Sequence, residues 1–211
     1  LGFIHGWGGE VIDSAGQPTV DTPEAKAGLQ ALVDAYTDGT IASTSTAATE
    51  EETNLAFTEG DTAFAINWPY MYANAEEAGI TFEVQPLVGE NGVGVSTLGG
   101  YNNGINVNSK HKATARDFIE FIISEDNQLA FAKESFPPVR ASIYDDADLI
   151  EEHPYLPALK ESLENAKPRP VSPFYPAISK AIQDNAYAAL TSGKSVDDAT
   201  GDMAAAITQA Q

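Results

Sequence analysis

Phe64-Ala65-Ile66-Asn67-Trp68-Pro69-Tyr70-Met71-Tyr72 is the stretch that decides how this chain is read. The apolar run from Thr62 to Asn67 predicts a short strand. Pro69 has no N–H to donate and biases Trp68 toward extended backbone, so the strand is expected to stop there. Trp68, Tyr70 and Tyr72 then cluster at its end. Large rings at a strand-to-helix junction pack into a core or line a crevice, since α/β folds bind ligands at strand ends.

Upstream, Val11 to Val20 reads as two short strands joined by a turn at Gly16. Thr22-Pro23-Glu24 carries the signals of a helix start: a capping hydroxyl, a proline at the first position and an acid in the first turn. Ala25, Leu29, Leu32, Val33 and Tyr36 share one face of that helix, which Gly39 ends. Residues 40–49 form a Ser/Thr/Ala-rich loop. Thr49 and Glu52 have the spacing of a capping box for a helix closing near Gly60.

Downstream, strands are expected at 81–87 and 105–107, with a Gly-containing turn at 90–94 between them. Ala115, Phe118, Ile119 and Ile122 make an amphipathic helical stripe, and Ser124 opens the next helix with Leu129 and Phe131 inside it. Leu156, Leu159 and Leu163 mark another helix. Tyr175, Ile178, Ile182, Ala186 and Ala189 mark a long helix closed at Gly193. Ser195 caps a last helix carrying Ala199, Met203, Ala206 and Ile207. Strands and helices alternate early and helices dominate after residue 110, which predicts a helix-rich α/β or α+β fold.

Composition narrows the function. Eleven Lys and Arg stand against 31 Asp and Glu, a formal charge of −20. Nucleic acid and anionic membrane surfaces are poor partners for such a chain, because both need a basic face. No Cys is present, so disulfides, thiolate metal sites and thiol nucleophiles are excluded. No window approaches the roughly 18 consecutive apolar residues of a membrane-spanning helix. The opening Leu1-Gly-Phe-Ile-His5 lacks a leader pattern, so a signal peptide is expected to be removed or to belong to a longer protein.

Catalytic signatures are missing. His5, His111 and His153 are widely spaced and outside any ligand motif. No Gly-x-Ser-x-Gly elbow anchors a triad. Leu98 to Gly104 is Gly-rich without the lysine of a phosphate loop. Asp145, Asp146, Asp148, Glu151 and Glu152 lack the spacing of a calcium loop and read as a solvated helix start. No cofactor and no metal is expected. Three sets of ring and hydrogen-bonding groups remain: Trp68 with Tyr70 and Tyr72; Gly99-Gly100-Tyr101-Asn102; and Arg169 between Pro168 and Pro170. A pyranose has apolar faces and a rim of hydroxyls. Flat rings, with Arg, Asn and backbone N–H groups at the edge, are what would hold it.

Ile66-Asn-Trp-Pro-Tyr70, Leu98-Gly-Gly-Tyr101, the helix from Lys112 to Ser124 with Gln128 beyond it, and Pro168-Arg-Pro-Val-Ser-Pro-Phe-Tyr-Pro176 occur in one order and spacing. Together they resemble the C-terminal half of a family 1 extracellular solute-binding protein of an ABC importer, with the trehalose/maltose binders as the most similar subgroup. The resemblance runs from Gly8-Gly9-Glu10 to the last helix. It implies a type II periplasmic-binding-protein-like fold, in which two α/β lobes close on a sugar like a clamp. It implies that residues 1–97 and 137–211 belong to the C-terminal lobe, and that 98–136 carries a crossover strand and helices of the N-terminal lobe. It assigns Trp68 and Tyr70 as stacking rings, Gly100 and Tyr101 as the counterpart of a Gly-Gly-Trp element, and Arg169 as a hydroxyl-binding arginine. Asn102 completes the expected ligand-binding set. Tyr101 stands where the family has Trp, which bears on which disaccharide is held.

The resemblance further implies a non-enzymatic component of a sugar importer with a di- or oligosaccharide ligand, permease subunits as partners and a place outside the cytoplasm. The first lobe, export signal and lipid-anchored Cys are expected to precede this chain. Without that lobe, the stripe at 115–122 with Leu129 and Phe131 is expected to seek cover by self-association. A carbohydrate-active enzyme using the same rings is the competing reading, separated by looking for products. A binder of a cationic or peptide ligand is the third; it needs acids beside the rings, and none is adjacent to Trp68-Pro-Tyr70 in sequence.

Overall fold

The computed structural model describes residues 1–211. Its helices are α1 (Gly2–Gly6), α2 (Pro23–Thr37), α3 (Glu50–Thr58), α4 (Met71–Glu77), α5 (Lys112–Ile122), α6 (Glu125–Lys133), α7 (Ala147–Glu152), α8 (Leu156–Glu164), α9 (Tyr175–Thr191) and α10 (Val196–Ala210). Two strands, β1 (Val88–Gly89) and β2 (Gly92–Val93), pair antiparallel around a Glu90-Asn91 turn. None of the helices is long and apolar enough to cross a membrane. The chain forms two compact units. One holds Leu1–Ala48, Pro86–Leu98 and Ser162–Gln211; the other holds Thr49–Gln85 and Gly99–Glu161.

In the first unit the helix signals act as their chemistry requires. The Thr22 hydroxyl accepts from the Ala25 N–H at 3.4 Å, with Pro23 opening α2. The Ser195 hydroxyl accepts from the Asp198 N–H at 3.0 Å and opens α10. Such caps satisfy N–H groups that have no partner inside the helix. Ile4, Val11, Val20, Ala25, Leu29, Ile178, Ala199, Met203 and Ile207 are buried in one core shared by α1, α2, α9 and α10. Burying one large aliphatic side chain contributes about 1.5–3 kcal/mol, so this core is what holds the four helices together. Lys194 ties α9 to α10 by donating to Asn185 at 2.6 Å and Asp202 at 2.5 Å.

His5 is buried at the end of α1. Its Nδ1 lies 3.1 Å from the Gly9 carbonyl and 3.4 Å from Glu10, and Glu10 pairs with Lys167. Burial lowers the pKa of the imidazole below 6.5, against the opposing pull of the Gly9 carbonyl and Glu10. The unfolded chain therefore binds a proton more readily than the native one. Stability that is complete above pH 6.5 is lost as pH falls through the native pKa. Urea unfolding from pH 7.5 to pH 5 is expected to show this loss, and His5→Gln to remove that part of it. An identical pH slope in the variant contradicts the assignment.

The second unit has its own core of Ala132, Ile143, Tyr144, Leu149, Tyr155 and Leu156. The capping box at the start of α3 is formed in both directions. The Thr49 hydroxyl accepts from the Glu52 N–H at 3.3 Å, and the Glu52 carboxylate accepts from the Thr49 N–H at 2.7 Å. Asp146 caps α7 by accepting from the Leu149 N–H at 2.9 Å. α5 folds at the expected place, yet none of its residues is buried, and Phe118 and Phe121 remain 60% and 62% exposed.

The expected strands at 62–67, 81–87 and 105–107 do not form. A strand exists only through a neighbour that completes its ladder, and these segments have no ladder; only Leu87, beside β1, is paired, its carbonyl accepting from the Gly94 N–H at 2.5 Å. Phe64 and Ile66 are accordingly 84% and 68% exposed. The two strands expected between Val11 and Val20 reduce to a single bridge between Ile12 and Pro18. Asp13 closes that turn by accepting from the N–H groups of Ala15 and Gln17, both at 2.8 Å. The loop expected over 40–49 contains a short 3₁₀ helix, Ser43–Thr46.

Candidate functional site

Trp68 lies between the extended segment ending at Asn67 and the start of α4. Its backbone is fixed by Asn67, whose side-chain oxygen accepts the Trp68 N–H at 2.7 Å while its amide nitrogen donates to the Glu50 carbonyl at 2.9 Å. The indole N–H donates to the Glu50 carboxylate at 3.4 Å. Trp68 as a whole is 44% exposed. The Tyr70 hydroxyl donates to the Glu51 carboxylate at 3.1 Å. Burial raises the Tyr70 pKa, and the hydrogen bond to Glu51 raises it further, so this phenol stays neutral.

The three rings of the opening stretch therefore part company. Tyr72 turns into the second core, where its ring centroid lies 4.4 Å from that of Tyr155 and 5.3 Å from that of Phe82. Its hydroxyl pKa is pushed up to about 12 by burial and by a hydrogen bond to Glu76. Trp68 and Tyr70 face the first turn of α3 instead. The absence of acids beside these rings, read from adjacent residues, is corrected here. Glu50 and Glu51 lie 18 and 19 residues away in sequence and meet Trp68 and Tyr70 through the fold.

The glycine pair approaches the same indole. A Cβ at Gly99 would come 3.2 Å from both Cζ3 and Cη2 of Trp68, so the missing side chain lets the backbone lie close to the six-membered ring. Gly100 has φ of +146°, a conformation that glycine adopts readily and L side chains rarely do. Tyr101 and Asn102 follow, both exposed; Tyr101 is 99% exposed and its ring packs on no other ring.

Arg169 belongs to the other unit. Its segment is held by Lys167, whose N–H donates to the Ser96 carbonyl at 3.0 Å and whose carbonyl accepts from the Leu98 N–H at 2.8 Å. The exposed Arg169 guanidinium donates to the Leu98 carbonyl at 3.4 Å. That bond engages one of its five N–H donors. Trp68, Tyr70, Gly100, Tyr101 and Asn102 thus share one unit, and Arg169 lies in the unit whose middle segment ends at Leu98. One open indole, a neutral phenol and two carboxylates at their edges suit a neutral polyol ligand with apolar faces.

The sequence matches the model of a family described as bacterial extracellular solute-binding protein over residues 3–158. A probable ABC transporter-binding protein of Deinococcus radiodurans is 30% identical over 202 residues, covering 87% of this chain and 46% of that one. The structure of maltose-bound T. maritima MalE3 is similar with a TM-score of 0.87 and 32% identity, over 99% of this chain and 56% of that one. A maltose-maltodextrin binding protein of Alicyclobacillus acidocaldarius follows with a TM-score of 0.80 and 21% identity, over 98% and 58% of the two chains. A cyclo/maltodextrin-binding protein has a TM-score of 0.78 and 18% identity, over 98% and 55%. The last two show the fold alone. The chain spans about half the length of these relatives, and its fold is the helix-rich α/β fold of type II periplasmic binding proteins over that length.

Proposed function

This chain belongs to the bacterial extracellular solute-binding protein family, and on that premise we propose that it supplies the ring-bearing part of a carbohydrate-binding clamp in an ABC sugar importer. The ligand is a di- or oligosaccharide, with one pyranose face lying on Trp68. Tyr70, Gly100, Tyr101 and Asn102 are its proposed hydrogen-bonding partners from the same unit, and Arg169 is the partner proposed from the other unit. The observation that carries this reading is the Trp68 indole, held by Asn67 and Glu50 yet left 44% exposed. A ring fixed by polar tethers and partly exposed is prepared to stack rather than to fill a core.

The protein works outside the cytoplasm, delivers sugar to permease subunits and performs no chemistry on it. A lipid anchor is part of the same reading. We keep as part of this proposal the lobe division that the resemblance implies, 98–136 with the other lobe and 1–97 with 137–211 in the C-terminal lobe; it cuts across the two compact units, in which Gly99–Glu161 joins Thr49–Gln85. Glu50 and Glu51 are the one observation that favours a cationic ligand instead, because they bring negative charge to the rings. Calorimetric titration of the full-length protein with maltose, trehalose, maltotriose and a lysine-rich peptide separates the readings. Saturable heat is expected with sugar and none with the peptide. Binding of the peptide alone overturns the carbohydrate assignment, and sugar cleavage products after long incubation overturn the non-enzymatic one.

A further inference from the structure

Three consecutive glutamates open α3, and a first turn of acids ordinarily serves the helix dipole. Here their contacts differ. Glu52 closes the capping box with Thr49. Glu50 and Glu51 take no part in the cap, and neither forms an ion pair with Lys or Arg. Their side-chain partners are the two exposed-edge rings of the candidate site, Trp68 and Tyr70.

We propose that Glu51 is a positioning residue of the carbohydrate site, acting through the hydroxyl of Tyr70. The inference rests on the carbohydrate reading above. Glu51 Oε1 accepts the Tyr70 hydroxyl proton at 3.1 Å. A hydroxyl that donates there turns its oxygen lone pairs outward as acceptors; the Asn67 side chain also engages that oxygen, and the remaining lone pair is left for a ligand hydroxyl. The burial that raises the phenol's pKa also keeps that donor proton in place. Glu51 is itself carried on a helix whose start is fixed by the Thr49–Glu52 box, so the tether hangs from a rigid element. Glu50 and Asn67 hold Trp68 in the same manner, one at the indole N–H and the other at the backbone. Rings held before the ligand arrives lose less rotamer freedom on binding.

The test is a double-mutant cycle in the full-length protein with maltose as the probe. Glu51→Ala and Tyr70→Phe are each expected to weaken maltose binding about 3- to 10-fold, the range of one hydrogen bond. The double variant is expected to bind no more weakly than either single one. Glu51→Gln keeps an acceptor oxygen and is expected to restore most of the affinity. All four are expected to melt within a few degrees of the parent. Additive losses, or a Glu51→Ala protein that binds as the parent does, overturn the proposal.

A ligand-free measurement separates this claim from the carbohydrate reading. In protein labelled with 3-fluorotyrosine, the Tyr70 fluorine signal is identified by its loss in Tyr70→Phe. It is expected to shift in Glu51→Ala and to return in Glu51→Gln. If maltose fails to bind the parent protein while the signal behaves so, the choice of ligand is wrong and the tether stands. An unmoved signal overturns the tether whatever the protein binds.

Discussion

Trp68→Ala is expected to weaken di- or oligosaccharide binding by the full-length protein about tenfold or more, at least about 1.4 kcal/mol, while its melting temperature stays nearly unchanged. The two halves of this expectation come from one geometry. Trp68 is 44% exposed, and a Cβ at Gly99 would meet its six-membered ring at 3.2 Å. Its removal therefore opens no cavity in either core, since the buried clusters do not include it. The lost contact is the exposed part of the indole, on which a pyranose is proposed to lie. Isothermal calorimetry and differential scanning calorimetry on the same preparation check both halves. A variant that unfolds at markedly lower temperature returns Trp68 to a packing role.

The second large effect is on stability, and its sign is the informative part. Gly28→Ala in α2 should stabilise on helix propensity alone, by about 0.5–1 kcal/mol. In this fold a Cβ at Gly28 would stand 2.4 Å from the Phe3 carbonyl oxygen, 2.8 Å from its carbon and 2.9 Å from Ile4 Cα. These are backbone atoms of α1 and have no rotamer by which to yield. α1 must move off α2, which loosens Ile4, Ala25 and Leu29 in the core. A net loss of about 1–3 kcal/mol is expected by urea unfolding. Gly201→Ala in α10 is the control, because nothing lies within 4 Å of its Cβ direction. It is expected to gain the propensity that Gly28→Ala cannot realise. Stabilisation by both substitutions contradicts the packing of α1 on α2.

What the sequence disclosed was chiefly what is local. The caps at Thr22, Thr49 and Ser195 form as read, because a capping hydroxyl and its N–H are three residues apart. The stripes of α9 and α10 also meet in a core as their periodicity indicated. Strands at 62–67, 81–87 and 105–107 were misread, because apolar alternation describes a face and says nothing about the neighbour that completes a ladder. The same limit applies to α5: its stripe was legible, but not that Phe118 would stay open.

At the candidate site, Trp68 and Tyr70 were legible as a pair from Pro69 and the aromatic spacing. That Tyr72 leaves them for Tyr155 was not, since one helical turn of α4 decides it. Glu50 and Glu51 could not be joined to the rings by any spacing rule. The one usable sign was a third glutamate beyond the two that a capping box and a helix dipole would account for.

If sugar binds on the face of Trp68, the emission of that indole reports it most directly. Trp7 is the other tryptophan of these 211 residues, stacked on Phe3 with centroids 5.6 Å apart; Trp7→Phe removes its emission, and the part of the remaining emission lost on further Trp68→Phe substitution is the Trp68 signal. Titration of the full-length Trp7→Phe variant with maltose or maltotriose is expected to give a saturable change in Trp68 emission, with the same midpoint as the calorimetric binding curve. Saturable heat with no change in Trp68 emission would place the sugar elsewhere and contradict the account.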